Sequence, residues 1–202
     1  MRLLLFSDLH CDAVAAQNLV EMSRHADVVI GAGDFAINRK GLPKAINSLA
    51  AIDRPSILVP GNNESYEELV NACKAWPAAR VLHGSGTEID GIKFWGVGGA
   101  IPITRFGPSS YDFSEDEGRQ LLADCPHGAI LVTHSPPKGI VDQTLDGQSR
   151  GSVAILEAIA RCQPPLVVCG HIHPNAGQSE VIACTQVTNA GPYGIWWDSS
   201  KK

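Results

Sequence analysis

Five short aliphatic runs limit what this chain can fold into. Leu3 to Phe6, Val28 to Ile30, Ser56 to Val59, Ile130 to Val132 and Leu166 to Cys169 are too short for helices, and their apolar residues are consecutive rather than alternate. Such runs read as strands buried on both faces, the pattern of a parallel sheet. Helix-like stretches separate them. Ala13 to Arg24 carries Val14, Leu19, Val20 and Met22; Pro43 to Ala51 has proline in its first turn. Ser65 caps a helix running to about Ala75, with Glu67 and Glu68 in its favourable first turn.

The middle of the chain changes character. Val81-Leu82, Thr87 to Ile89 and Ile92 to Val97 are short strands, with a hairpin signal at Asp90-Gly91. Gly98 to Asp112 is a loop, and a helix capped by Ser114 follows. An irregular segment, Ser135 to Gly151, leads into a helix over Ser152 to Arg161, and the tail from Gly177 to Trp197 reads as three short strands. Trp196-Trp197 places one indole in the core and one outside. The expected architecture is α/β: a four-layer α/β/β/α sandwich of two mixed sheets with helices outside. With 202 residues, no repeat and no linker, one domain spans 1–202.

Composition narrows the function. The net charge of −5 and the lack of a basic block argue against nucleic acid as the main partner. No apolar run approaches the roughly 18 residues of a membrane span, and the apolar start is too short for a signal peptide. Six scattered cysteines form no C-x-x-C pair. They indicate a reduced, cytoplasmic protein rather than a disulfide framework or a zinc-thiolate site.

Each aliphatic run is followed by residues that bind metals. Asp8-x-His10, Gly33-Asp34, Gly61-Asn62-Asn63-Glu64, Thr133-His134-Ser135 and Gly170-His171-x-His173 follow the five in turn. In open α/β sheets, ligands gather at the carboxyl ends of strands. Nitrogen and oxygen donors without thiolate suit manganese, iron, zinc or nickel, and suit calcium poorly. The seven donors Asp8, His10, Asp34, Asn62, His134, His171 and His173 are too many for one tetrahedral zinc. They suit two divalent transition-metal ions sharing a carboxylate. Such ions, roughly 3.5–4 Å apart, clamp both oxygens of a phosphoryl displacement and acidify bound water. Gly33, Gly61 and Gly170 allow tight turns and close approach of backbone.

In this order, and over nearly the whole chain, these segments resemble the calcineurin-like metallophosphoesterases, especially the small phosphoesterases of that family. The resemblance implies that Asp8, His10 and His173 hold one ion, that Asn62, His134 and His171 hold the other, and that Asp34 bridges them, with manganese the first choice of metal. It implies catalytic roles for Asp34, Asn63 and His134, and attack of a metal-bound hydroxide on a small phosphodiester or phosphomonoester. One position departs. The family usually has histidine where this chain has Asn63, and asparagine has no proton to give a leaving group near neutral pH.

Other residues read differently. Glu64 suits a supporting or helix-start charge rather than a ligand. His25, His83 and His127 read as surface or packing residues, and Cys11 and Cys169 as small packing residues. Arg39, Arg105 and Arg150 lie in or near loops that could overhang the site. Asn63, which can still donate a hydrogen bond to a phosphoryl oxygen, and Arg150 are the candidates for substrate binding, Arg150 because Gly147 to Ser152 precedes a helix start where anions are favoured. The sequence leaves two alternatives: a catalytically silent family member that acts as a protein-binding scaffold, and a nuclease. It does not fix the oligomeric state.

Overall fold

The computed structural model describes residues 1–199; the last three residues of the expected 1–202 domain lie outside the described residues. The strand-helix alternation of residues 2–81 builds most of one sheet. Its strands β1 (Arg2–Phe6), β2 (Val28–Ala32), β3 (Ser56–Val59) and β4 (Ala79–Val81) pair in parallel in sequence order. The intervening helices α1 (Ala13–Ser23), α2 (Leu42–Leu49) and α3 (Tyr66–Ala72) cover one face. Their starts follow local chemistry. Asp12 caps α1 by accepting from the Val14 and Ala15 amides, and Ser65 and Glu68 form a reciprocal capping box on α3.

The second sheet contains β5 (Ser85–Ile89), β6 (Ile92–Val97), β7 (Ile130–Thr133), β8 (Leu166–Cys169), β9 (Ser179–Ile182) and β10 (Thr185–Asn189), in the order β5-β6-β7-β8-β10-β9. Its centre is parallel and both edges are antiparallel. The Asp90-Gly91 turn joins β5 to β6 with both residues at positive φ, 49° and 78°, as a two-residue hairpin of this type requires. Helices α4 (Glu115–Leu122) and α5 (Val153–Cys162) cover its outer face. The last strand, β11 (Ile195–Asp198), returns to the first sheet and pairs antiparallel with β1.

Period-two packing makes the four layers. Leu3 and Leu5 face the second sheet, and Leu4 and Phe6 face the helices of the first. On β8, Leu166 and Val168 turn between the sheets while Val167 and Cys169 turn to α4 and α5. Each central strand is thus apolar on both faces, and its run is unbroken. Trp197 is buried between the sheets, whereas Trp196 packs on the outer side with the Arg2 guanidinium 3.8 Å above its ring. No helix among the described residues is long and apolar enough to cross a membrane.

Candidate metal centre

The carboxyl ends of β1, β2, β3, β7 and β8 meet at one end of the sandwich, and the segments that follow them converge there. All seven candidate ligands come together. His10 Nε2 lies 3.1 Å from His173 Nε2 and 3.6 Å from Asp34 Oδ2, and His173 Nε2 lies 3.5 Å from Asp8 Oδ1. On the other side, Asn62 Oδ1 lies 3.2 Å from His134 Nε2 and 3.1 Å from His171 Nδ1. Asp34 spans the two groups, its Oδ1 3.5 Å from His134 Nε2.

These separations fit metal binding. Donors about 2.1 Å from a common ion stand about 3.0 Å apart at right angles and about 3.4 Å apart at tetrahedral angles. Tautomers agree with this. His10 Nδ1 is 3.0 Å from the Ala36 carbonyl and His134 Nδ1 is 2.8 Å from the Ala32 carbonyl. Carbonyls only accept, so both Nδ1 atoms carry hydrogen and both Nε2 atoms present lone pairs to the site. Asn62 is oriented likewise. Its Nδ2 donates to Ser110 Oγ at 3.1 Å, and the Ser110 hydroxyl donates to Asp112. The Asn62 oxygen therefore faces the histidines. The donor set and its spacing fit two divalent ions.

Electrostatics show where cations belong. Burial alone would raise the Asp8 carboxyl, but the hydrogen bond with His173, the charge of His134 and the Ser7 hydroxyl outweigh it and hold Asp8 at about 2. Burial opposes charge on His134, yet Asp34 and Asp8 raise its pKa. His173 is raised chiefly by its hydrogen bond with Asp8. His171 is pushed down to about 4 by burial and by its neighbour His134. The neighbouring carboxylates thus favour positive charge at His134 and His173.

The backbone is strained to make this geometry. Asp8, His10, Asp34 and His171 have φ of 52°, 43°, 59° and 67°, the left-handed region that residues with a side chain rarely adopt. Glu64 supports the strained turn. Fully buried, it accepts the amides of Gly61 at 2.7 Å, Asp34 at 2.8 Å, Ala36 at 3.0 Å and Phe35 at 3.3 Å. The supporting role read for Glu64 takes this form; the helix cap itself belongs to Ser65.

Asn63 is held on both sides. Its amide hydrogens bond Asp34, Nδ2 to Oδ2 at 2.6 Å and the backbone N–H to Oδ1 at 2.9 Å, while its Oδ1 accepts from the Asn38 amide at 2.7 Å. It braces the central carboxylate.

The centre opens into a cleft of about 600 Å³ bordered by Phe106, Leu145, Ile172 and Pro174. Arg150 is not brought to this cleft. Its guanidinium bonds Gln148, and Glu115 already fills the start of α5, accepting from the Val153 and Ala154 amides and the Ser152 hydroxyl. The helix end that would have attracted phosphate is satisfied internally. Arg39, paired with Glu68 at 2.8 Å, instead borders an adjoining pocket with Asn63 and Ser110. Away from the centre, His83 packs between Tyr66 and Phe113 and accepts from the Gly98 amide, and His127 bonds Gln163 at the surface.

A four-layer sandwich with an Asp/His/Asn cluster at its parallel strand ends defines a metallophosphoesterase-type protein. The profile of the calcineurin-like phosphoesterase superfamily domain matches residues 1–202, and the chain belongs to that superfamily. It is similar to the UPF0046 protein K07C11.7 of Caenorhabditis elegans, 28% identical over an alignment of 176 residues that covers 75% of this chain. The chain spans only 58% of that relative's length. Among solved structures, it shares its fold with TT1561 of Thermus thermophilus (TM-score 0.75, 19% identity, covering 95% of this chain and 89% of that one). A novel archaeal phosphodiesterase shares it as well (TM-score 0.60, 18% identity, 100% and 96%). So does the purple acid phosphatase PPD1 of yellow lupin (TM-score 0.60, 10% identity, 96% and 44%).

Proposed function

We propose that this chain is a metal-dependent hydrolase of small phosphate mono- or diesters, working with two divalent ions, manganese first among them. One observation carries the reading: the oxygen of Asn62 faces imidazole nitrogens of His134 and His171 at 3.2 and 3.1 Å, with Asp34 spanning to the His10 and His173 pair. Donors gathered this way serve a cation better than they serve packing. Bound there, such ions would neutralise charge on phosphate oxygens and acidify water.

The chain's own residues do the rest. Asp8, His10 and His173 would hold one side, Asn62, His134 and His171 the other, and Asp34 both. Ser110 fixes the amide of Asn62, and Asn63 fixes the carboxylate of Asp34. Asn63 has no titratable proton and its oxygen is occupied, so it does not act as a general acid. Esters whose leaving group departs without a proton are therefore the favoured substrates.

The test strips the protein of metal, reloads it with manganese, nickel, zinc or iron, and follows p-nitrophenyl phosphate and bis-p-nitrophenyl phosphate. Asp34→Ala should bind fewer ions and lose roughly 10³-fold or more in turnover, as expected when a shared electrostatic element is removed. Two ions bound with no turnover under any metal would favour the silent scaffold.

A further inference from the structure

One wall of the cleft takes no part in holding metal. Phe106 stands on the loop between β6 and α4, and Leu145 on the loop between β7 and α5. Phe106 is 69% exposed and Leu145 94% exposed. Single exposed apolar side chains are ordinary. Here two large ones, from loops far apart in sequence, border the same cleft as His10 and His171, and Ile172 and Pro174 extend the surface. A shared apolar face beside convergent polar groups is the usual make-up of a ligand site.

The wall joins the metal centre directly. The Phe106 ring meets the His171 imidazole edge to face, with centroids 6.4 Å apart and planes at 78°. A group attached to phosphorus at the centre would lie beside this wall. Among the described residues no lysine or arginine lines the cleft, and Arg39, in the adjoining pocket, is already paired with Glu68. A second phosphate or a carboxylate reaching this wall would find no basic side chain among the described residues. An uncharged ring would cover Phe106 and Leu145 and gain aromatic contact.

We propose that Phe106 and Leu145 are specificity-determining residues that receive an uncharged, apolar, ring-bearing ester group. The substrate class is then phosphate esters of aryl or similarly flat apolar groups, not polyanionic phosphates. This rests on the phosphoesterase reading above.

Calorimetric titration of the manganese-loaded full chain with three phosphonates tests it. Phenylphosphonate should bind at least about tenfold more tightly than methylphosphonate, the scale on which apolar pockets discriminate. 3-Phosphonopropionate, which adds a charge at similar reach, should bind no more tightly than methylphosphonate. In Phe106→Ala and in Leu145→Ala, the ratio of phenyl to methyl affinity should fall to about threefold or less. Leu145→Lys should shift the preference toward 3-phosphonopropionate. Equal binding of the phenyl and methyl compounds, preference for the charged one, or an unchanged ratio in both alanine variants overturns the proposal and leaves the phosphoesterase reading standing. Failure of all three to bind overturns both.

Discussion

Gly61→Ala tests how tightly the strand ends are fitted. Gly61 is not among the residues at positive φ, so alanine there meets no conformational penalty and would, in open space, stabilise by about 0.4–1 kcal/mol. Space decides otherwise. A Cβ on Gly61 would lie 2.1 Å from Asp34 Oδ1 and 2.2 Å from the Asp34 backbone nitrogen. That is more than 1 Å inside ordinary contact. The carboxylate cannot swing freely, because Asn63 binds both of its oxygens, and the backbone nitrogen is tied to Glu64 at 2.8 Å. Overpacking costs about 1–3 kcal/mol, and loss of a buried bond to a charged acceptor costs about 1.5–3 kcal/mol. Together they predict a net loss of about 2–5 kcal/mol. Urea unfolding of the metal-free protein measures it. Gly118→Ala in α4, whose Cβ would touch the Ile101 side chain at 3.1 Å, is the control and should stay within about 1 kcal/mol of wild type. A Gly61→Ala protein as stable as wild type, or more so, would refute the reasoning.

Three further outcomes follow from the site. Asn63→His should speed hydrolysis of alkyl phosphates by about 10²-fold or more, the lower range of general acid catalysis, with little gain for p-nitrophenyl esters; equal gains on both would sink that account. Ser110→Ala should weaken manganese binding about 10–100-fold by freeing the Asn62 amide, an effect typical of lost support around a ligand and readable by calorimetry. The histidines set a pH dependence. His134 and His173 have raised pKa values in the fold, so their contribution to metal-free stability is full below about 6.5 and is lost as pH rises through the raised values. Metal must displace those protons, so manganese affinity should rise with pH up to the raised values and level off above them. Titrations near pH 6.5 in buffers of different ionisation enthalpy should show proton release, and affinity independent of pH would contradict it.

The cluster of candidate ligands is legible because each member lies within four residues of the strand that carries it. Asp8, Asp34, Asn62, His134 and His171 follow aliphatic runs, and the runs are unbroken because both faces of those strands are buried. Contacts between distant segments left no such mark. Ser110 reaches Asn62 across 48 positions from a loop of Gly, Pro and Ser, and nothing in that composition singles it out. Glu64 could be read as a supporting charge, but its four amide partners depend on how β2 and β3 end beside one another. Its place before a helix draws Arg150 toward phosphate. The sequence does not reveal that Glu115, from another helix, occupies that helix end first. The tail read as three strands, but β11 belongs to the other sheet, a choice made by packing against β1.

Four candidate ligands, Asp8, His10, Asp34 and His171, adopt a backbone shape that glycine would take without cost. At about 1–2 kcal/mol for each such residue, they hold roughly 4–8 kcal/mol, comparable to the net stability of a typical domain. Chemistry and robustness therefore draw on the same few residues. An engineer seeking a heat-resistant inert frame would begin by erasing ligands here, and one seeking a better catalyst should first reinforce layers far from the centre, where added stability leaves those turns intact.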